Sequence, residues 1–237
     1  RGGKIIPYKK LLDDAISQAQ HQPRHVLLVD RGLAKMARVS GRDVDFASLR
    51  HQHIGARVPV AWLESNETSC ILYTSGTTGK PKGVIYTHKM AFWNSINTSI
   101  SLIINTQSIT VNVMPPFHTG GWNVLLLPIL HHGGTVHISK KFEASHTLRA
   151  LEKHRCTIFM GVPTMLAFMA QDSHFEDTDL SQLDYIIVGG ESMPVPLIER
   201  YDAKGVAIRQ GYGMTEVGPN LTSLHQDDAI RKKGSIG

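Results

Sequence analysis

The 237-residue chain predicts an α/β fold: layered, largely parallel sheets flanked by helices. Three observations lead there. Short apolar runs recur along the chain at 26–29, 70–74, 111–114, 135–138, 157–160, 185–188 and 206–208. Most of the intervals between them carry helical character. Gly or Pro stands at the joins, in Pro115-Pro116, Gly133-Gly134, Pro163 and Gly189-Gly190. Strands alternating with helices, several of the strands apolar on both faces, are the pattern of a buried parallel sheet.

In chain order, Tyr8, Leu11, Leu12, Ala15, Ile16 and Ala19 recur at i, i+3, i+4, i+7, i+8 and i+11. That spacing predicts a helix with one apolar stripe. Residues 25–30 follow as a buried strand, Val26 to Val29 forming an unbroken apolar run. A helix is predicted over about 87–104, and another over 143–155 with Ala144, Leu148 and Leu151 on one face. The polar, acidic stretch 172–184 reads as an exposed loop. No internal repeat or linker is visible.

Composition excludes several classes. With 41% hydrophobic and 19% charged residues the chain is not disordered. The net charge of +5 comes from scattered Lys and Arg, with no basic stripe of interleaved aromatics, which argues against a nucleic-acid partner. The longest apolar run, 124–130, is interrupted by Pro128 and is far too short for a transmembrane segment. Cys70 and Cys156 form no CxxC pair, so the reading is two reduced, buried thiols in a cytoplasmic protein. The start at Arg1-Gly2-Gly3-Lys4, without Met or an apolar leader, predicts a chain that begins inside something larger or was processed.

The most specific segment is Tyr73-Thr74-Ser75-Gly76-Thr77-Thr78-Gly79-Lys80-Pro81-Lys82-Gly83. Its glycines allow tight turning and close approach of backbone to a ligand. Its hydroxyls and amides suit phosphate oxygens, and two lysines add positive charge. It is not a Walker A loop, because Thr74 and Pro81 stand where that motif needs Gly and Ser or Thr. The predicted placement is a strand-to-helix turn.

This segment closely resembles the phosphate loop of the adenylate-forming superfamily: acyl-CoA synthetases, firefly-type luciferases and peptide-synthetase adenylation domains. The resemblance implies that Thr74, Ser75, Gly76, Thr77, Thr78, Gly79 and Lys82 contact the phosphates of ATP. Gln210-Gly211-Tyr212-Gly213-Met214-Thr215-Glu216 resembles the second core motif of that superfamily. There Tyr212 would pack on adenine, Thr215 would meet the α-phosphate, and Glu216 would help hold Mg²⁺ together with Thr74. Gly189-Gly190-Glu191 is similar to the adenine-contacting turn, although by itself it also reads as a plain strand-ending turn. Gly234-Ser235-Ile236-Gly237 resembles the beginning of the next motif.

Pro116-Phe117-His118-Thr119-Gly120-Gly121-Trp122 corresponds, by the same resemblance, to the stretch lining the acid pocket. His118, Thr119, Gly120 and Trp122 would be substrate contacts, with His118 able to donate a hydrogen bond to developing negative charge. A histidine and tryptophan at a helix start with purely structural roles is the competing reading. The implied catalytic residues are Thr215, His118 and Lys82. The remaining histidines, His131-His132 among them, lack metal-ligand spacing and read as surface residues.

Two branches of the superfamily are legible. Up to about Val84 the chain resembles acetate- and propionate-activating enzymes, notably in Arg1-Gly2-Gly3-Lys4, 26–31 and 59–73. From Thr87 onward it resembles ligases for medium-chain, long-chain or aromatic acids. The implied activity is ATP-dependent conversion of such an acid to acyl-AMP and then acyl-CoA, with ATP, Mg²⁺ and coenzyme A as participants. A short-chain CoA ligase and a non-catalytic nucleotide-binding fragment are the alternatives. Residues 1–237 would form part of the large N-terminal domain. The ribose-binding aspartate, the small C-terminal domain with its lysine, and a region before Arg1 would lie outside it. The expectation is therefore weak or no ligase activity from this chain alone, with self-association through uncovered apolar faces.

Overall fold

The computed structural model describes residues 6–74, 80–232 and 234–237, in two units, Arg1–Trp62 and Leu63–Gly237. The first unit holds α1 (Tyr8–Gln18), β1 (Val26–Leu28), β2 (Asp43–Asp45) and α2 (Phe46–Gln52). Its small apolar cluster is Ile16, Val26 and Leu28. The helix predicted at 8–19 forms, but Tyr8, Leu11 and Leu12 of its stripe stand exposed within this unit. In β1 the apolar run alternates, with Val26 and Leu28 buried and Leu27 outward, because β2 pairs alongside it in parallel and one face alone is covered. Charge supplements the thin core. Lys9 is buried between Asp13 and Asp43, at 2.6 and 2.8 Å, and Arg42 bridges the same two carboxylates. These bonds hold the Asp43 carboxyl well below the usual carboxylate range, the Arg42 hydrogen bond first among them.

The second unit runs β3 (Thr68–Thr74), β4 (Lys82–Thr87), α3 (His88–Leu102), β5 (Ile109–Asn112), α4 (Thr119–Trp122), α5 (Leu126–His131), β6 (Thr135–Ile138), α6 (Ala144–Lys153), β7 (Ile158–Gly161), α7 (Pro163–Gln171), β8 (Tyr185–Val188), α8 (Val195–Ala203), β9 (Ile208–Gly213) and β10 (Asn220–Ser223). The expected α/β architecture is present. One sheet has the order β10-β9-β8-β7, parallel from β7 to β9 with β10 antiparallel at its edge. β5 and β6 form a parallel pair. Thr157 joins this pair to the main sheet: its amide donates to the Ile109 carbonyl at 2.9 Å, and its hydroxyl accepts from the Ile109 amide at 3.0 Å.

Alternation along the strands explains their unbroken apolar sequences. Ile186 and Val188 of β8, with Phe159 of β7, pack against Leu148 and Leu151 of α6, Leu166 and Met169 of α7, and Ile198 and Tyr201 of α8. Tyr185 and Ile187, with Ile158, face the opposite way, onto Leu102 at the end of α3 and Val124, Leu125 and Ile129 around α5. Both sheet faces are covered, so a strand with side chains on both sides must be apolar throughout.

Residues 172–184 depart from the exposed loop predicted for them. Phe175, Leu180 and Leu183 are buried in the larger core, and Arg200 and Lys204 lie over the Phe175 ring at 5.2 and 5.3 Å. Three spaced apolar residues suffice to anchor a segment whose average composition is polar. Asp172 fixes its start, accepting from the Ser145 hydroxyl and from the His174 amide at 3.0 Å.

Those donors lower the Asp172 carboxyl from its ordinary 3.8 to about 2, the Ser145 bond first among them. A carboxyl depressed in the folded state contributes stability above its unfolded pKa and loses it as pH falls toward the folded value. The melting temperature should therefore drop between about pH 4 and pH 2. In Asp172→Asn, scanned by calorimetry over the same range, that part of the drop should be flattened.

Candidate active site

The segment most specific in sequence is carried by an antiparallel hairpin, β3 pairing with β4 from Thr74↔Lys82 back to Thr68↔Thr87. This corrects the strand-to-helix turn expected there. Residues 82–87 alternate, with Val84 and Tyr86 inward and Gly83 and Ile85 outward, and that period of two suits a strand. The helix starts only at His88, where the Thr87 hydroxyl caps it by accepting from the Met90 amide at 3.2 Å. Thr74 and Lys82 thus face one another across the two strand ends, Lys82 exposed to solvent. Ser75, Gly76, Thr77, Thr78 and Gly79 lie outside the described residues. The hairpin is tied to the rest of the site by Tyr86, whose buried hydroxyl donates to the Gly218 carbonyl at 2.9 Å. Burial pushes that phenol up to about 12.

Residues 210–213 lie within β9 itself, where the sequence placed them after a strand. Gly213 pairs with Asn220 and Tyr212 with Thr222. A Cβ on Gly213 would fall 1.9 Å from the Pro219 carbonyl oxygen, so glycine is required for β10 to close on β9. Tyr212 is exposed, Thr215 is half-buried, and Glu216 is exposed in the 3₁₀ turn Thr215–Val217. Gln210 is buried and does not line the cavity described below. Its side-chain oxygen accepts from the Met193 amide at 3.0 Å and fixes the start of the chain entering α8. Gly189 and Gly190 end β8, with Gly190 at φ +88°, while Glu191 beside them is exposed.

The 115–122 segment is built around backbone contact. Gly121 lies against Pro115, so that a Cβ there would meet the Pro115 oxygen at 2.1 Å, and its carbonyl accepts from Asn112 at 2.7 Å. His118 caps α4, its Nδ1 accepting from the Gly120 amide at 3.0 Å. An accepting Nδ1 in a neutral imidazole leaves the proton on Nε2, free to donate outward. Thr119 is buried and accepts from Asn123 at 3.0 Å. The Trp122 indole nitrogen is buried without a partner.

These pieces converge. A cavity of about 220 Å³ is lined by His118, Thr119 and Gly120, by Gly189 and Gly190, and by residues 211–215. Thr74, Lys82, Glu191, Gln210, Trp122 and Glu216 do not line it. Val124, Met160, Val162 and Ile187 complete the wall as an apolar surface, and Pro219 and Asn220 close one side. Sequence reasoning missed these six. Gly161-Val162-Pro163, a strand end followed by a helix-starting proline, was the available signal for the middle of that wall.

The profile of the AMP-binding enzyme family matches residues 6–237. The chain belongs to that family. Its relatives include propionate–CoA ligase of Escherichia coli strain K12, 46% identical across 100% of this chain and 39% of that protein. Feruloyl-CoA synthase of Amycolatopsis sp is 33% identical across 96% and 45%. The chain thus spans less than half the length of these curated relatives. Among solved structures, the N-terminal domain of FACL13 from Mycobacterium tuberculosis superposes with a TM-score of 0.78 at 28% identity, over 96% of this chain and 54% of that one. O-succinylbenzoate CoA synthetase from Bacillus subtilis in complex with AMP gives 0.76 at 27% identity, over 99% and 58%.

The residues present in this AMP-binding chain fit a magnesium nucleotide. Bare glycine backbone at 189–190 and 211 leaves room for a flat ring. Glu216, the residue after Thr215, supplies one exposed carboxylate, and Mg²⁺ binds through one or two carboxylates together with substrate phosphates and retained waters. Among the described residues no cluster of three or more His, Cys, Asp or Glu forms an all-protein metal cage. His131 and His132 bond instead to Ser95 and Ser99 of α3, at 2.9 and 3.0 Å. Among the described residues no helix is long and apolar enough to cross a membrane. The Cys156 thiol is buried and pushed up to about 12, whereas Cys70 is half-buried.

One residue outside the cavity holds its two sides together. The buried Asn94 of α3 donates to the Asn123 carbonyl at 2.7 Å, just after the His118–Trp122 segment. Its side-chain oxygen accepts from the Asn220 amide at 3.3 Å. Asn94→Ala should therefore cost about 1–3 kcal/mol for each buried group left without a partner, measured by urea denaturation. Hydrogen exchange should quicken at the Asn220 amide and in peptides covering 119–124, while β7 and β8 keep their protection.

Proposed function

We propose that this chain is the nucleotide-binding core of an AMP-forming acid–thiol ligase, which activates a carboxylic acid with ATP and passes it to coenzyme A. The observation that carries this reading is the single cavity that gathers His118–Gly120, Gly189-Gly190 and 211–215 from distant parts of the sequence. The named activities of the two ligase relatives support it.

In the first step a carboxylate oxygen attacks the α-phosphorus of ATP, forming acyl-AMP and releasing pyrophosphate. In the second the coenzyme A thiolate attacks the acyl carbon and AMP departs. Most of the catalysis of the first step is alignment and charge neutralisation. Tyr212 presents an aromatic face to the adenine, and Gly189-Gly190 presents flat backbone. Thr215 donates to the α-phosphate. His118 donates from Nε2 to the acid carboxylate, held in that orientation by the Gly120 amide on Nδ1. Thr74 and Lys82, together with Ser75 to Gly79 between them, form the cradle for the remaining phosphates. Glu216 and Thr74 would hold Mg²⁺, which supplies neutralisation of phosphate charge when bound.

The apolar wall of Val124, Met160, Val162 and Ile187 fits the hydrocarbon body of an acid, which favours a medium-chain, long-chain or aromatic substrate. A short-chain reading is favoured by a different observation, the 46% identity to propionate–CoA ligase over the whole chain. In either reading a further domain completes thioester formation, and the isolated chain is weakly active. It also self-associates, since Tyr73, Ile85, Trp93 and Ile100 stand exposed. The two free thiols suit a reducing, cytoplasmic setting.

Carboxylate-dependent ATP–pyrophosphate exchange with propionate, octanoate, palmitate and benzoate in parallel tests the proposal. Exchange that rises with acid length supports the leading reading, and exchange confined to propionate supports the other. MgATP binding without exchange would leave a nucleotide-binding fragment, and no binding would remove the proposal. Thr215→Ala and Lys82→Ala should each lower the exchange rate by about 10- to 1,000-fold with unchanged melting temperatures, since neither side chain carries a packing contact of the core.

A further inference from the structure

His118 stands at the tip of a loop that side-chain packing does not hold. Pro116, Phe117 and His118 are all exposed, Phe117 to 78%, whereas Thr119, Gly120 and Gly121 after them are buried. The direction of the imidazole therefore depends on hydrogen bonds to the backbone of the loop. The His118 amide donates to the Pro115 carbonyl at 3.2 Å, and the Gly121 amide to the His118 carbonyl at 2.8 Å. The Gly120 amide donates to His118 Nδ1 at 3.0 Å.

One side chain of the sheet reaches both ends of this loop. Asn112 is the last residue of β5 and pairs with Ile138 of β6. Its carbonyl accepts from the Ser139 amide at 3.0 Å, so its backbone belongs to the sheet. Its side-chain oxygen accepts from the Met114 amide at 3.1 Å, where the loop leaves the strand. Its side-chain nitrogen donates to the Gly121 carbonyl at 2.7 Å, where the chain has entered α4. Residues 114–121 are thus closed by one amide that accepts on one side and donates on the other. Asn carries both functions in one short planar group, whereas Leu, of similar size, has neither. Met114, His118 and Gly120 line the candidate cavity, but Asn112 does not. Asn112 acts on a ligand only through the loop.

We propose that Asn112 is a positioning residue for His118: by closing the loop it holds the Gly120 amide against Nδ1 and so directs Nε2 at the acyl group. This rests on the carboxylate-activating reading above, in which His118 meets the acid.

The test is a double-mutant cycle, because two residues that act through one contact are not additive. Propionyl- and octanoyl-sulfamoyl adenosine, two non-reactive acyl-adenylate mimics, are titrated by calorimetry with AMP as reference. The proteins are the chain, Asn112→Ala, Asn112→Leu, His118→Ala, and Asn112→Ala combined with His118→Ala. In the parent at least one mimic should bind more tightly than AMP. His118→Ala should weaken that mimic about tenfold, the size of one hydrogen bond, and each Asn112 variant should do the same. The combined variant should be no weaker than His118→Ala alone. AMP affinity should be equal throughout, which a general loss of structure would not allow. By NMR, a nitrogen–nitrogen coupling across the hydrogen bond from the Gly120 amide to His118 Nδ1 should be present in the parent and lost in both Asn112 variants.

Asn112 variants that bind the mimic like the parent, keep the coupling, or weaken AMP equally overturn the positioning role alone. So does a further loss of mimic affinity in the combined variant, or a His118→Ala protein that binds the mimic as the parent does. Failure of the parent to bind AMP, or to bind either mimic more tightly than AMP, overturns the carboxylate-activating reading and this inference with it.

Discussion

The candidate site depends on the buried polar face of α3. Asn94, Ser95, Thr98 and Ser99 are all buried, where an amphipathic helix would place apolar residues. Each finds a partner outside the helix: Asn94 on Asn123 and Asn220, Thr98 on Asn220, Ser95 on His131 of α5 and Ser99 on His132 just after it. Apolar contacts tolerate sliding, but hydrogen bonds between buried groups specify position, because an unmade one costs the full desolvation of that group. The helix therefore serves as a ruler between the His118 segment and the strand that returns after Thr215. The width of the cavity is the distance that ruler sets.

The same logic operates on the other side of β9. Arg209 is buried, with its guanidinium 5.0 Å over the Tyr185 ring and its Nε donating to the Leu224 carbonyl at 3.1 Å. Burial lowers its pKa. Its Nη1 is buried without a partner, and the side chain joins β8, β9 and the chain leaving β10. Gln210, the next residue, points the opposite way and sets the entry to α8 through Met193. Of these neighbouring polar residues, Arg209 ties the strands together and Gln210 ties the sheet to the approach to α8, while Gly211 to Thr215, further along, line the cavity.

Much of this was legible in the sequence, for identifiable reasons. The strands at 157–160 and 185–188 are apolar on both faces because they are covered on both faces, and these and the strands expected at 111–114 and 135–138 each form within about two residues of their expected place. The helix at 144–153 follows the apolar spacing of Ala144, Leu148 and Leu151, and the helix at 88–102 falls within the expected 87–104. The hairpin of β3 and β4 was misread because 82–87 is short and its pairing partner lies on the far side of residues 75–79. Pairing between separated segments is non-local information. Residues 172–184 were misread because three anchors were averaged into an acidic stretch. The helix at 8–19 was read correctly as a helix, yet its stripe is largely exposed, because periodicity reports a face and not what covers it.

The sequence by itself determined the fold class and the family and nominated the residues proposed to bear chemistry, since these follow from local pattern: a period of two or 3.6, and a run of glycines, hydroxyls and lysines. Tertiary structure alone decided which of those residues share a cavity, and which serve the scaffold instead. Gln210 sits inside the motif and does not line the cavity, whereas Asn94, in no motif, spans its two sides. A side chain's direction in a sheet and its partner across a helix depend on what packs there, and contacts between residues more than a hundred positions apart leave no periodic trace in the chain.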